Sequence, residues 1–229
     1  MRLRITFSKR GPLRYIGHLD LHQVWERTVR RAGLPLVYTQ GFHPGPKIQI
    51  AAALPLGFLG RAEVVDIWLK DNGVGVARVV AQGGDNPSPY ADLFQSAAPP
   101  GLTILSVEEV DEHAPALQTR VSAAEYEVTF LDPVDGSALA GKIAALLEAA
   151  SLPRERRGKA YDLRPLILSL SLTTIPLPGG EGKGMRVQMI LSACEGATGR
   201  PEEVLAELGF PFENTRIERT RLIFQSNIE

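Results

Sequence analysis

The side chains of this chain that could do chemistry gather near its start. "GHLDLH" (17–22) carries His18, Asp20 and His22. His18 and His22 are four apart, so a helix places both on one face. That spacing can hold a metal, as in H-E-x-x-H sites, but the glutamate beside the first histidine is missing and a third ligand would have to come from elsewhere. No metal is assigned. The simpler expectation is that the stretch opens a helix, with Asp20 in a first turn that favours an anion and His18 capping it or facing a ligand there. With an ordinary pKa of about 6.5, a histidine also suits general acid–base work at neutral pH. His18 and His43 are therefore the catalytic candidates for one alternative, a self-sufficient, metal-independent ribonuclease of the kind that processes CRISPR repeats.

A second stretch, "GFHPGPK" (41–47), combines Gly41 and Gly45, which permit unusual backbone angles, with Pro44 and Pro46, which stiffen it. It is not a P-loop, because Ile48 stands where serine or threonine would follow the lysine. Lys47 can still meet a phosphate or carboxylate as a point charge, and Phe42 can stack. Further on, "RERRGKAYDLRP" (154–165) sets Arg154, Arg156, Arg157, Lys159 and Arg164 around Tyr161. A basic loop with an aromatic can hold single-stranded nucleic acid, and it can equally be an exposed hairpin tip.

Charge supports the first of these readings. Residues 1–47 hold nine Lys/Arg, among them Arg14 and Lys47, against Asp20 and Glu26. That is +7 in a chain of net charge −1, leaving −8 for the remainder. A local basic face attracts polyanions even at near-zero total charge. The alternative is that these side chains only solvate a strand and a helix. The single cysteine, Cys194, excludes an internal disulfide, a cysteine zinc cage and an iron–sulfur cluster. It is expected to be buried and inert. No apolar run approaches the roughly 20 residues of a membrane helix. "MRLRITFSKRG" has no apolar h-region. The expectation is a cytoplasmic protein with no membrane contact.

The elements that must position these residues repeat. "RLRITFSK" alternates as a half-buried strand, and "GPL" turns. "HLDLHQVWERTVRRAGL" carries the helical stripe Leu21, Val24, Trp25, Thr28, Val29, Ala32, with Gly33 as its C-cap. "LVYT", "KIQI", "AEVVDIWLK" and "LTILSVEEV" (102–110) read as strands, with a helix over 88–97 and a Gly/Pro-rich loop at 83–89. Residues 111–120 read as a linker. A second cycle follows, with strands "AEYEVTFL", "RPLILSLSLTT", "GMRVQMILSA" and "IERTRLIF" and helices "GSALAGKIAALLEAASL" and "RPEEVLAELGF". The order β-α-β-β-α-β, twice, predicts an α+β protein of two ferredoxin-like domains side by side, 1–112 and 113–229, with mixed or antiparallel sheets.

"FSKRGPLRYIGHLDL", "RRAGLPLVYTQGFHPGPKIQIAAALPLG", "AEVVDIWL" and "YDLRPLI" together resemble an uncharacterised family called radical-SAM-linked, or radical-SAM-associated, proteins. In that family a serine usually precedes His-Leu-Asp, where this chain has Gly17. Gly41, Phe42, His43, Pro44, Pro46 and Lys47 match its second motif. The resemblance implies a partnership with a radical-SAM iron–sulfur protein. With Cys194 alone, any cluster belongs to that partner, and no cofactor is expected on this chain. The expectation is a non-catalytic accessory subunit that binds RNA or another polyanion. Its contacts would be Arg14, His18, Asp20, Phe42, His43 and Lys47, with Arg154, Arg157 and Arg164 as a second patch. A purely protein-binding scaffold is the remaining alternative.

Overall fold

β1 (Arg2–Lys9) is a central strand, hydrogen-bonded antiparallel to β3 (Leu59–Trp68) on one side and to β4 (Leu102–Val110) on the other. The computed structural model that establishes this describes residues 1–70, 89–156, 158–176 and 183–225. It divides into two units, Met1–Arg120 and Val121–Glu229. In the first unit β2 (Ile48–Ile50) pairs with β3, so the strand order is β4-β1-β3-β2, all antiparallel. One face of β1, with Leu3, Ile5 and Phe7, is covered by α1 (His18–Arg31) and α2 (Pro89–Ala97). Leu21, Trp25, Thr28 and Val29 are the buried stripe of α1. The Trp25 ring meets Phe7 edge-on at 4.9 Å and Phe94 of α2 at 6.3 Å, the geometry aromatic quadrupoles prefer.

The expected half-buried strand is thus buried on one face and partly buried on the other, where Arg4 and Thr6 keep some exposure. Its second face carries Arg2 and Arg4, and these are neutralised from across the sheet. Asp66 on β3 is fully buried and accepts from Arg2 Nε (2.9 Å) and Nη2 (2.5 Å) and from Arg4 Nε (2.9 Å). Antiparallel register puts Arg4 directly opposite Asp66 and Arg2 opposite Trp68.

The expected linker is packed into the first unit. The Arg2 guanidinium also donates to the carbonyls of Ala114 (2.7 Å) and Pro115 (3.2 Å). Leu117 is buried, and its N–H donates to Gln49 Oε1 at 2.8 Å. The boundary therefore falls after Arg120 rather than at 112, because Arg2 and the core of the first unit hold residues 111–117. The "LVYT" strand reduces to two isolated bridges, Leu36 with Leu69 and Tyr38 with Pro46. The "KIQI" strand ends at Ile50.

In the second unit β5 (Val121–Phe130) and β9 (Lys183–Cys194) are central, flanked by β11 (Thr215–Phe224) and β8 (Ile167–Pro176). The order β11-β5-β9-β8 repeats that of the first unit. α3 (Gly136–Glu148) begins at Asp135, whose carboxylate accepts from the N–H of Ser137 and Ala138. α4 (Pro201–Leu208) has proline in its first turn and ends on Gly209, at φ 79°. A separate hairpin, β6 (Pro153–Arg156) with β7 (Lys159–Asp162), is inserted before β8, and the short β10 (Ala197–Thr198) folds back on β9. Cys194, expected to be buried, is half-buried, its thiol 3.3 Å from the Ser122 carbonyl. Of the loop expected at 83–89, residues 83–88 lie outside the described residues, and Pro89 begins α2. Among the described residues, no helix is long and apolar enough to cross a membrane.

Candidate functional site

The connection from β1 to α1 is fixed from below by a charge. Lys9 is 1% exposed and donates Nζ to the Ile16 carbonyl at 3.1 Å. From above, the Gly57 N–H donates to the Arg14 carbonyl at 2.8 Å, tying the 54–58 turn to the Gly11–Tyr15 turn. Between these anchors Arg14 lays its guanidinium 4.8 Å from the centre of the Tyr15 ring. Tyr15 is 65% exposed, Leu19 77% and Leu56 61%. His18 and Asp20 are exposed in the first turn of α1. Asp20 accepts from the Gly17 backbone N–H at 3.3 Å, so its carboxylate completes the helix start. The expected anion at the helix start is in place.

The "GFHPGPK" segment is the far part of a braced hairpin. Val37 N–H donates to the Trp68 carbonyl (2.9 Å), Lys47 N–H to the Val37 carbonyl (2.8 Å), and Thr39 N–H to the Gly45 carbonyl (2.8 Å). Gly45 N–H returns to Thr39 Oγ1 at 3.0 Å. The tip turns at Gly41, φ 142°, a backbone angle suited to glycine. It presents Phe42 and His43 to solvent, Phe42 wholly, at 103%. Lys47 folds back, with Nζ 4.4 Å above the Trp68 ring, on which the Arg2 guanidinium also lies at 4.7 Å. His18 and Lys47 therefore sit on different elements. The bridge between them is His22, whose Nε2 donates to the Ile48 carbonyl at 3.3 Å, one helical turn from His18 and one residue from Lys47.

The cationic face is smaller than the sequence count implies. Arg2 and Lys9 are buried and cannot meet a polyanion. Arg4 is spent on Asp66, which raises its pKa through their hydrogen bond, and Arg30 on Glu26 and the Tyr38 hydroxyl. Arg10, Arg27, Arg31 and Lys47 remain exposed. Sequence reasoning missed Glu63 and Asp66, both buried. The signal was there for Asp66: an acid inside the apolar run "AEVVDIW" requires cations, and β1 carries Arg2 and Arg4.

The second patch is internal. Arg154 pairs with Glu207 and Arg156 with Glu203 of α4. Arg164 donates to the Leu147 carbonyl (2.8 Å) at the end of α3 and to the Ile167 carbonyl (3.2 Å), acting as a C-terminal helix cap. Arg157 lies outside the described residues. Tyr161 packs beneath the Arg156 guanidinium at 4.9 Å. Its hydroxyl pKa is raised, first by burial and then by Glu203.

A family model described as an uncharacterized protein conserved in bacteria (DUF2344) matches residues 2–201, and the chain belongs to that family. No curated protein matches it. Among solved structures it is similar to a chain of a Cbf5-Nop10-Gar1 complex, at 10% identity over 96% of this chain and 48% of that one, with a TM-score of 0.50. An H/ACA RNP bound to a substrate RNA gives 10% identity, coverage of 95% and 47%, and 0.44. The small subunit of acetolactate synthase from Thermotoga maritima gives 10%, 99% and 98%, and 0.26. The chain spans about half the length of the first two solved chains. The likeness at 0.50 is one of fold alone.

Proposed function

We propose that this member of a bacterial family binds RNA, or another polyanion, through its first unit, as the accessory subunit of a radical-SAM iron–sulfur protein. The two units are read as paired ferredoxin-like modules. The observation that carries the binding is the Arg14–Tyr15 stack, a guanidinium 4.8 Å from an aromatic ring that is 65% exposed. A base can stack on such a ring while the cation neutralises its phosphate. Phe42 offers a second exposed aromatic on a hairpin braced at Thr39 and Gly45, so little ordering entropy is lost when it stacks. Arg10, Arg27, Arg31 and Lys47 supply exposed cations. The radical-SAM partnership rests on the motif resemblance of residues 41–47 and of the segment around His18 and Asp20.

The test is retention of a single-stranded RNA of about 20 nucleotides across roughly 50 to 200 mM salt. Affinity should fall with salt, and Tyr15→Ala and Phe42→Ala should each cost about 1–3 kcal/mol of binding. Retention that is absent, or that ignores salt, would overturn the polyanion reading. A second reading draws on the exposed Leu19 and Leu56 beside Tyr15, which suit a protein surface. Co-purification with a radical-SAM protein that survives nuclease and is lost in Leu19→Asp would favour this scaffold role.

A further inference from the structure

Arg154 and Arg156 are two apart on β6 and so share one face of the hairpin, with Tyr161 and Lys159 as their cross-strand partners. Glu203 and Glu207 are four apart on α4, one helical turn, and this matches the arginine spacing. Both arginines are thereby answered, Arg156 through Nη2, which donates to both Glu203 oxygens at 2.8 and 2.9 Å. Lys159 is not. It stands in register directly opposite Arg156, and like charges so placed repel. Its ammonium is exposed and enters no hydrogen bond or ion pair among the described residues. Asp162, the acid on its own strand, is already engaged, accepting from the N–H of Leu152 (2.7 Å) and of Arg164 (2.9 Å).

This unanswered cation opens onto a cavity of about 460 Å³ between the hairpin and the β9–β10 turn. Ala160, Leu166 and Ala197 give it apolar walls, and at Gly196 a Cβ would meet nothing within 4 Å. Arg156 lines it too, held rigid by Glu203 and the Tyr161 ring, while its Nη1 makes only a long contact, 3.4 Å, to the Thr198 carbonyl. The volume lies within the roughly 300–1,000 Å³ of small-molecule sites.

We propose that this cavity binds a small organic phosphate of mononucleotide size, with the phosphate on Lys159 and Arg156 Nη1 and its body against Leu166 and Ala197. A fixed guanidinium beside an exposed ammonium provides two charge-assisted donors, one of them already ordered.

The test titrates the isotope-labelled full chain with adenosine monophosphate, uridine monophosphate and inorganic phosphate, followed by amide NMR shifts. Either nucleotide should give saturable shifts at Ala160 and at residues 196–198, at lower concentration than inorganic phosphate. Lys159→Ala should weaken the nucleotide roughly tenfold and Lys159→Arg less. Ala197→Trp, which fills the cavity, should abolish the shifts while the fold persists. Absence of saturable shifts at these amides, or equal affinity in Lys159→Ala, overturns the proposal. Equal binding of inorganic phosphate overturns its organic part. Lys159→Ala should leave RNA retention through the Arg14–Tyr15 face unchanged, so the two readings fail separately.

Discussion

Asp66 carries more of the first unit than any surface cation does. It is fully buried, and Arg2 and Arg4 both end on its two oxygens. Removing one member of a buried ion network leaves charges desolvated and unpaired. Asp66→Asn should therefore lower stability by about 3–5 kcal/mol, seen as a fall in the urea midpoint at neutral pH. A loss below about 1 kcal/mol would mean that water reaches the two guanidinium groups. Individual residues also show where reading by composition fails. Arg154 and Arg164 read as ligand contacts in the sequence, and Arg2 and Lys9 as part of its basic N-terminal charge, yet each is committed to a partner within its own unit.

Between elements, spacing sets the docking. The two-residue period of β6 and the four-residue turn of α4 bring Arg154–Glu207 and Arg156–Glu203 together. Asp162 then holds the base of the hairpin, and the N–H groups of Leu152 and Arg164 keep its carboxyl below the usual carboxylate range. A carboxyl depressed in the fold contributes stability that is present above its unfolded-state pKa and is lost as pH falls through its folded pKa. Asp162→Asn should consequently show a smaller drop in urea midpoint between about pH 7 and pH 3 than the parent protein. An unchanged drop would place the acid sensitivity elsewhere, for example at Asp135, depressed by Ser137 and Ala138, or at Glu112, depressed by the terminal ammonium.

For the whole molecule, the boundary and the surface matter most. A fragment of residues 1–120 keeps the Ala114 and Pro115 carbonyls on Arg2 and Leu117 in the core. A fragment of residues 1–112 loses all three. The longer fragment should unfold cooperatively and at the higher denaturant midpoint, and equal midpoints would restore the shorter boundary. At this scale the RNA test also decides between surfaces. Binding lost in Tyr15→Ala and Phe42→Ala but not in Arg164→Ala would confine the polyanion face to the first unit.

The sequence by itself determined most of the elements that form, the "LVYT" strand being an exception. The alternation in β1, the stripe of α1 and the two β-α-β-β-α-β cycles are local patterns, legible because side-chain period follows backbone geometry. It also marked "GFHPGPK" as a stiff loop, and the braced tip with Phe42 and His43 fits that reading. Only the tertiary structure decided which charges face water. Arg2 and Asp66 are 64 residues apart in sequence, and their meeting depends on the antiparallel register of β1 and β3, which no local window contains. The same dependence left Tyr15 and Lys159 as the exposed points. Composition did not single out Tyr15, and Lys159, one of five cations in the 154–165 stretch, stands apart from them only once Arg154, Arg156 and Arg164 have found partners.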